Sequence, residues 1–220
     1  MIFCSRHTIS GALLRYSVMM KKIALLLSVA LLTACTPSLE KQATELVKNT
    51  LAAERPLTAK SYKSLSLTLD SAFVAPETDS AMLALTSQIL EVSLKVQNIE
   101  KAHHRTQAAL TLLENASNGL GRAGYEEERQ KSDEQTSLLV MGRALLDETF
   151  LALKAREAQL AVGTPCGWRI RNECSGARLV GTSDYTFIAN ASLTHAFGYE
   201  TAVYERLCDH LALLLASDSM

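Results

Sequence analysis

MLALTSQILEVSLKVQNIEKAHHRTQAALTLL, residues 82–113, decides the fold of this 220-residue chain. Met82, Leu85, Ile89, Val92, Val96, Ile99, His103, Thr106, Leu110 and Leu113 recur at alternating steps of three and four. That spacing keeps one helix face apolar through more than four heptads, and such a helix needs a partner. The segment from about 126 to 161 supplies it, with a stripe of Leu138, Met141, Leu145, Leu146, Ala152, Leu153 and Leu160. Glu126-Glu127-Glu128 suits the positive end of that helix. Gly119, Gly121 and Gly124 punctuate the loop Asn115–Gly124 between the two arms. Residues 79–161 are thus expected to form an antiparallel helical hairpin with arms about 50 Å long.

Upstream, Leu39, Ala43, Leu46, Val47 and Leu51 share a face of a helix expected over 37–54, with Thr36 as cap, Pro37 in the first turn and Pro56 beyond its end. Residues 62–69 change period: Leu65, Leu67 and Leu69 alternate with Ser66 and Thr68, as in a half-buried strand. Downstream, Gly163-Thr164-Pro165 marks a boundary. Cys166, Trp168, Ile170, Asn172 and Cys174 then alternate with Arg169, Arg171 and Glu173, which places two chemistries on two strand faces. Further strand is expected over Leu179–Gly181 and Tyr185–Ala189, interrupted by Thr182-Ser183-Asp184, with a short piece near Leu193–Phe197. An amphipathic helix near 200–216 aligns Tyr204, Leu207, Cys208, Leu211, Leu214 and Leu215.

The expected fold class is α+β, mainly α: a long antiparallel helical hairpin plus a small antiparallel sheet and a C-terminal helix. The expected organisation is an export signal over 1–34 and an N-terminal helix and strand over 35–78. The hairpin follows over 79–161, then the sheet and last helix over 162–220, which pack with 37–75.

Residues 20–35 read MKKIALLLSVALLTAC. Lys21 and Lys22 precede an apolar run over 23–32, which has signal-peptide length and is too short to span a bilayer as a helix. Met19 or Met20 is the expected true start, since residues 1–18 carry no export pattern. Leu32-Thr33-Ala34-Cys35 resembles the lipobox of bacterial lipoproteins. That resemblance implies a diacylglycerol on the Cys35 sulfur and cleavage just before it. Thr36, where some enteric lipoproteins carry Asp, then implies an outer-membrane address facing the periplasm. Helix Leu39–Leu51, strand Ser61–Phe73, the hairpin, and Gly167-Trp168-Arg169-Ile170 through Gly181 to Phe187 together resemble small uncharacterised lipoproteins of Bacteroidetes. That likeness implies architecture and location and transfers no catalytic residue.

Cleavage before Cys35 leaves 186 residues. Residues 1–34 hold Arg6, Arg15, Lys21 and Lys22 and no acid, so the remainder keeps 18 bases against 23 acids, net −5. That balance argues against nucleic acid as a partner and against electrostatic membrane binding. A membrane contact is expected through the lipid on Cys35, and an envelope protein is the expected partner.

Chemistry-bearing residues are few. Cys166, Cys174 and Cys208 accompany Cys35, and export permits disulfides. Cys166 and Cys174 would lie about 26 Å apart on one strand, beyond bonding reach. Cys174–Cys208 is the preferred pair, against a reading of all three as small buried thiols. Arg169 and Arg171 on one strand face suggest an anion contact, against a solvated face paired with Glu173. A Cys-His pair with His195 or His210 has no motif behind it. His103-His104 lacks further metal ligands and reads as a polar seam position. No catalytic residue, metal or cofactor is expected. The function expected is a lipid-anchored, non-enzymatic interaction or structural module, with a periplasmic small-anion binding module as the alternative.

Overall fold

The computed structural model describes residues 37–54, 61–114, 119–176 and 181–217. The export segment, the lipobox Leu32 to Cys35, Thr36, Pro56, Asn115 to Asn118 and Leu179 lie outside them. The chain divides into two units, Met1–Gln42 and Ala43–Met220. Of the first, Pro37 to Gln42 are described: the Lys41 amide donates to Ser38 Oγ at 3.3 Å, and Gln42 Nε2 to the Pro37 carbonyl at 2.8 Å.

The elements, in chain order, are α1 (Leu39–Glu54), β1 (Lys63–Phe73), a 3-10 turn (Pro76–Thr78), α2 (Ser80–Glu114), α3 (Gly119–Glu157), β2 (Pro165–Ser175), β3 (Thr182–Asn190), β4 (Ala196–Glu200) and α4 (Thr201–Ala216). This is an α+β fold, mainly α. The four strands form an antiparallel meander in the order β1-β2-β3-β4.

Alternation along the strands gives the sheet two covered faces. On one, Leu67, Leu69, Trp168, Ile170, Cys174, Tyr185, Phe187 and Ala189 pack with Ala43, Val47 and Leu51 of α1. On the other, Phe197 and Tyr199 of β4 meet Tyr204, Leu207 and Leu211 of α4 and the base of the hairpin, Met82, Leu83, Ile89, Phe150 and Leu153. Asn172 is buried on the α1 side yet fully bonded. Its amide donates to Ser64 Oγ (2.6 Å) and the Ser66 carbonyl (3.0 Å), and its oxygen accepts from the Tyr62 hydroxyl (3.0 Å). Gly198 lies opposite Phe187, whose ring occupies the space a Cβ would need.

The hairpin forms, with arms of 35 and 39 residues. Every α2 seam residue is buried or half-buried, as its period requires. Its start is capped by Asp79, which accepts from the Met82 amide at 2.9 Å and pairs with Arg156 Nη2 at 2.7 Å. Burial pushes the Asp79 carboxyl up, but hydrogen bonds from Arg156 and Met82 outweigh it and hold the group below its ordinary value.

Four expectations fail on local detail. Leu65 leaves the face of Leu67 and Leu69 at a register shift between Ser64 and Ser66 and stands exposed. Thr182-Ser183-Asp184 does not interrupt the strand but belongs to β3. Helix α3 begins at Gly119, so Glu126-Glu127-Glu128 is not its start; Glu127 and Glu128 instead pair with Lys131. The α3 stripe is also displaced. Leu138, Met141, Leu145 and Ala152 face solvent, while Ser132, Gln135, Leu139, Gly142, Leu146, Thr149 and Leu153 line the seam. Close approach explains it: a Cβ on Gly142 would stand 2.6 Å from Val96 Cγ2. Small and polar residues of α3 alternate with Leu139, Leu146 and Leu153 along the contact, and Leu138, Met141 and Leu145 turn outward. Among the described residues, no helix is long and apolar enough to cross a membrane.

Candidate functional site

Arg169 sits in the middle of β2, between Asp70 of β1 and Ile188 of β3. It occupies the sheet face that α4 covers. The 3-10 turn and α4 close around it and leave a cavity of about 430 Å³. Pro76 and Glu77 form one wall; Tyr204, Cys208, Leu211, Ala212 and Leu215 form the other, with Asp209 at the rim. The two walls are tied together by the Tyr204 hydroxyl, which donates to the Glu77 carbonyl at 2.9 Å. Lys154 steadies the far end of α4 by donating to the Leu215 carbonyl at 2.6 Å.

Arg169 Nε is enclosed and has no hydrogen-bond partner. A buried donor left unpartnered costs about 1–3 kcal/mol, and more when charged. Its charge is felt by its neighbours. Burial pushes the Tyr204 hydroxyl and the Cys208 thiol up, and the Arg169 guanidinium opposes only part of that rise. The cavity therefore offers one guanidinium at the base of a largely apolar slot.

The other sequence-selected residues do not converge on it. Arg171 shares the strand face but is exposed, and lines a separate cavity of about 360 Å³ with Ser66, Thr68, Glu173, Asp184 and Thr201. Trp168 faces α1 and donates its Nε1 proton to the Ala191 carbonyl at 3.3 Å. The Cys174–Cys208 disulfide is not formed; Cys166, Cys174 and Cys208 are free. Cys174 is buried on the α1 side of the sheet and Cys208 packs on the α4 side, so the sheet separates them.

Cys166 leaves the face expected for it. The β1–β2 register slips between Ala72 and Phe73, opposite Gly167 and Pro165. The extra residue of such a bulge is free to turn, and Cys166 lines a cavity with Thr78, Ile188, His195 and Phe197. Among the described residues no hydrogen bond joins Cys166 to His195, whose Nδ1 lies 3.0 Å from Thr194 Oγ1. His103 is half-buried in the hairpin seam with Nδ1 enclosed, and His104 is exposed. No three His, Cys, Asp or Glu side chains gather to hold a metal ion among the described residues.

Arg169 was visible in the sequence as a charge on a strand. Glu77 was not, because nothing local marks a 3-10 turn residue as the wall of a site completed by a helix more than a hundred residues later. Neither a family model, nor a curated protein, nor a solved structure matches the chain.

Proposed function

We propose that the protein is a lipid-anchored, non-enzymatic component of the bacterial cell envelope, held at the outer membrane facing the periplasm. It uses its helical hairpin to contact another envelope protein. The anchor half of this reading rests on Leu32-Thr33-Ala34-Cys35 behind its apolar run. The contact half rests on one observation: α3 presents Leu138, Val140, Met141, Leu145 and Leu151 to solvent. Met141 is 60 % exposed and Leu151 68 %. Burying a side chain of this size against a partner yields about 1.5–3 kcal/mol before association costs.

Two measurements test the halves separately. Metabolic labelling with a clickable fatty acid should mark the wild-type chain and not Cys35→Ser; equal labelling removes the anchor. Photo-crosslinkers placed at Met141 and Leu145 in the native envelope should capture a discrete protein adduct, lost on Leu138→Asp. Absence of any adduct at these sites overturns the contact.

A further inference from the structure

We propose that the cavity between β2, α4 and the 3-10 turn is a binding site for a small amphipathic monocarboxylate, with Arg169 as the carboxylate receptor. The site is built from three separate parts of the chain, and it does not depend on the anchor or on the hairpin surface.

Three observations carry the assignment. Arg169 is the cation of the cavity, and its enclosed Nε lacks a partner. A guanidinium fork matches a carboxylate in two parallel hydrogen bonds, and such charge-assisted pairs are the strong ones. The walls beyond it, Pro76, Leu211, Ala212 and Leu215, are apolar and suit a hydrocarbon body. The volume, about 430 Å³, falls in the range of small-molecule sites.

Glu77 and Asp209 set the charge of the ligand. Both line the cavity, and neither forms an ion pair with Arg169 among the described residues. A second negative charge on the ligand would meet these carboxylates, so a phosphate is disfavoured against a single carboxylate. Tyr204 does not compensate Arg169 as an anion, because burial favours its protonated hydroxyl, which donates a hydrogen bond to the Glu77 backbone carbonyl.

Isothermal titration calorimetry on the complete chain provides the test, with hexanoate as probe and hexanamide and inorganic phosphate as comparison ligands. Hexanoate should bind in the millimolar range or tighter. Hexanamide and phosphate should each bind at least about tenfold more weakly, and Arg169→Gln should weaken hexanoate by a similar factor. Cys208 supplies a readout that needs no variant. Hexanoate should slow its alkylation by N-ethylmaleimide several-fold, followed by peptide mass spectrometry, while leaving the rate at Cys166 unchanged. Phosphate binding as tight as hexanoate, full retention in a folded Arg169→Gln, or no hexanoate heat and no Cys208 protection overturns the proposal. Where Arg169→Gln does not fold, the Cys208 protection result decides alone.

Discussion

The sheet body and the outer half of the hairpin are built to different standards. In the body, both sheet faces are covered, and Leu51, Ile170, Phe187, Met82 and Leu211 are almost wholly enclosed. Beyond Val96, among the described residues, the two helices pack mainly on each other. The residues buried there include Thr106, Leu110 and Ser132, and Gln107 Nε2 donates across the seam to Ser132 Oγ at 2.7 Å. Arg143 reaches Glu100 across the same gap at 2.8 Å, at the surface. Two helices have no third side to cover, so each retains an apolar residue that points nowhere: Leu112 of α2 is 75 % exposed. The body is therefore the source of global stability, and the outer arm is free to open locally.

The largest test of this contrast is Phe187→Ala, which empties the centre of the sheet and uncovers Gly198. It should cost about 3–5 kcal/mol in urea denaturation. A loss under about 1 kcal/mol would place the stability elsewhere. Gly142→Val attacks the arm instead. The new side chain collides with Val96, at about 1–3 kcal/mol. Amides over 97–114 should then exchange faster, while those of β3 keep their protection. If β3 loses protection equally, arm and body are one cooperative unit.

Asp79 stands at the base of the hairpin, as the cap of α2 and the partner of Arg156. Asp79→Ala should cost about 1 kcal/mol. Because its folded-state affinity for a proton is depressed, its stabilisation is present above the unfolded carboxyl value of about 3.9 and is lost as pH falls through the lower folded value. Unfolding curves of wild type and Asp79→Asn should therefore converge in acid and separate towards neutral pH. Parallel curves would exclude the ion pair as a contributor. The smallest effect is expected at Leu145→Lys, within about 0.5 kcal/mol of wild type. A larger loss would mean that the outer face of α3 is covered in the free protein.

Much of this fold follows from local periods. The 3.5-residue repeat from Met82 to Leu113 places all ten seam residues of α2 on its inner side, because the period of a helix is a property of the helix alone. The same holds for β2, where alternation separates Trp168, Ile170 and Cys174 from Arg169 and Arg171. The failures at the α3 stripe and at Cys166 share one cause. Reading α3 by its largest apolar residues selects Leu138, Met141 and Leu145, yet the seam takes Ser132, Gln135 and Gly142. Apolarity says which residues gain from burial; it does not say how closely two backbones approach, and at Gly142 the approach decides. Likewise, alternation carries Cys166 to the α1 side until a bulge returns it to the other.

The amino-acid sequence by itself determined the α+β class, the hairpin, the strand faces and the charge on β2. Those rest on periods of two and of three and a half residues, which need no partner to be read. Tertiary structure alone decided which side of α3 faces α2, which side of the sheet holds each cysteine, and that Arg169, unlike Arg171, is half-buried beside α4. Each of these depends on the shape of a distant segment, Val96 for Gly142 and α4 for Arg169, and no local pattern encodes that shape.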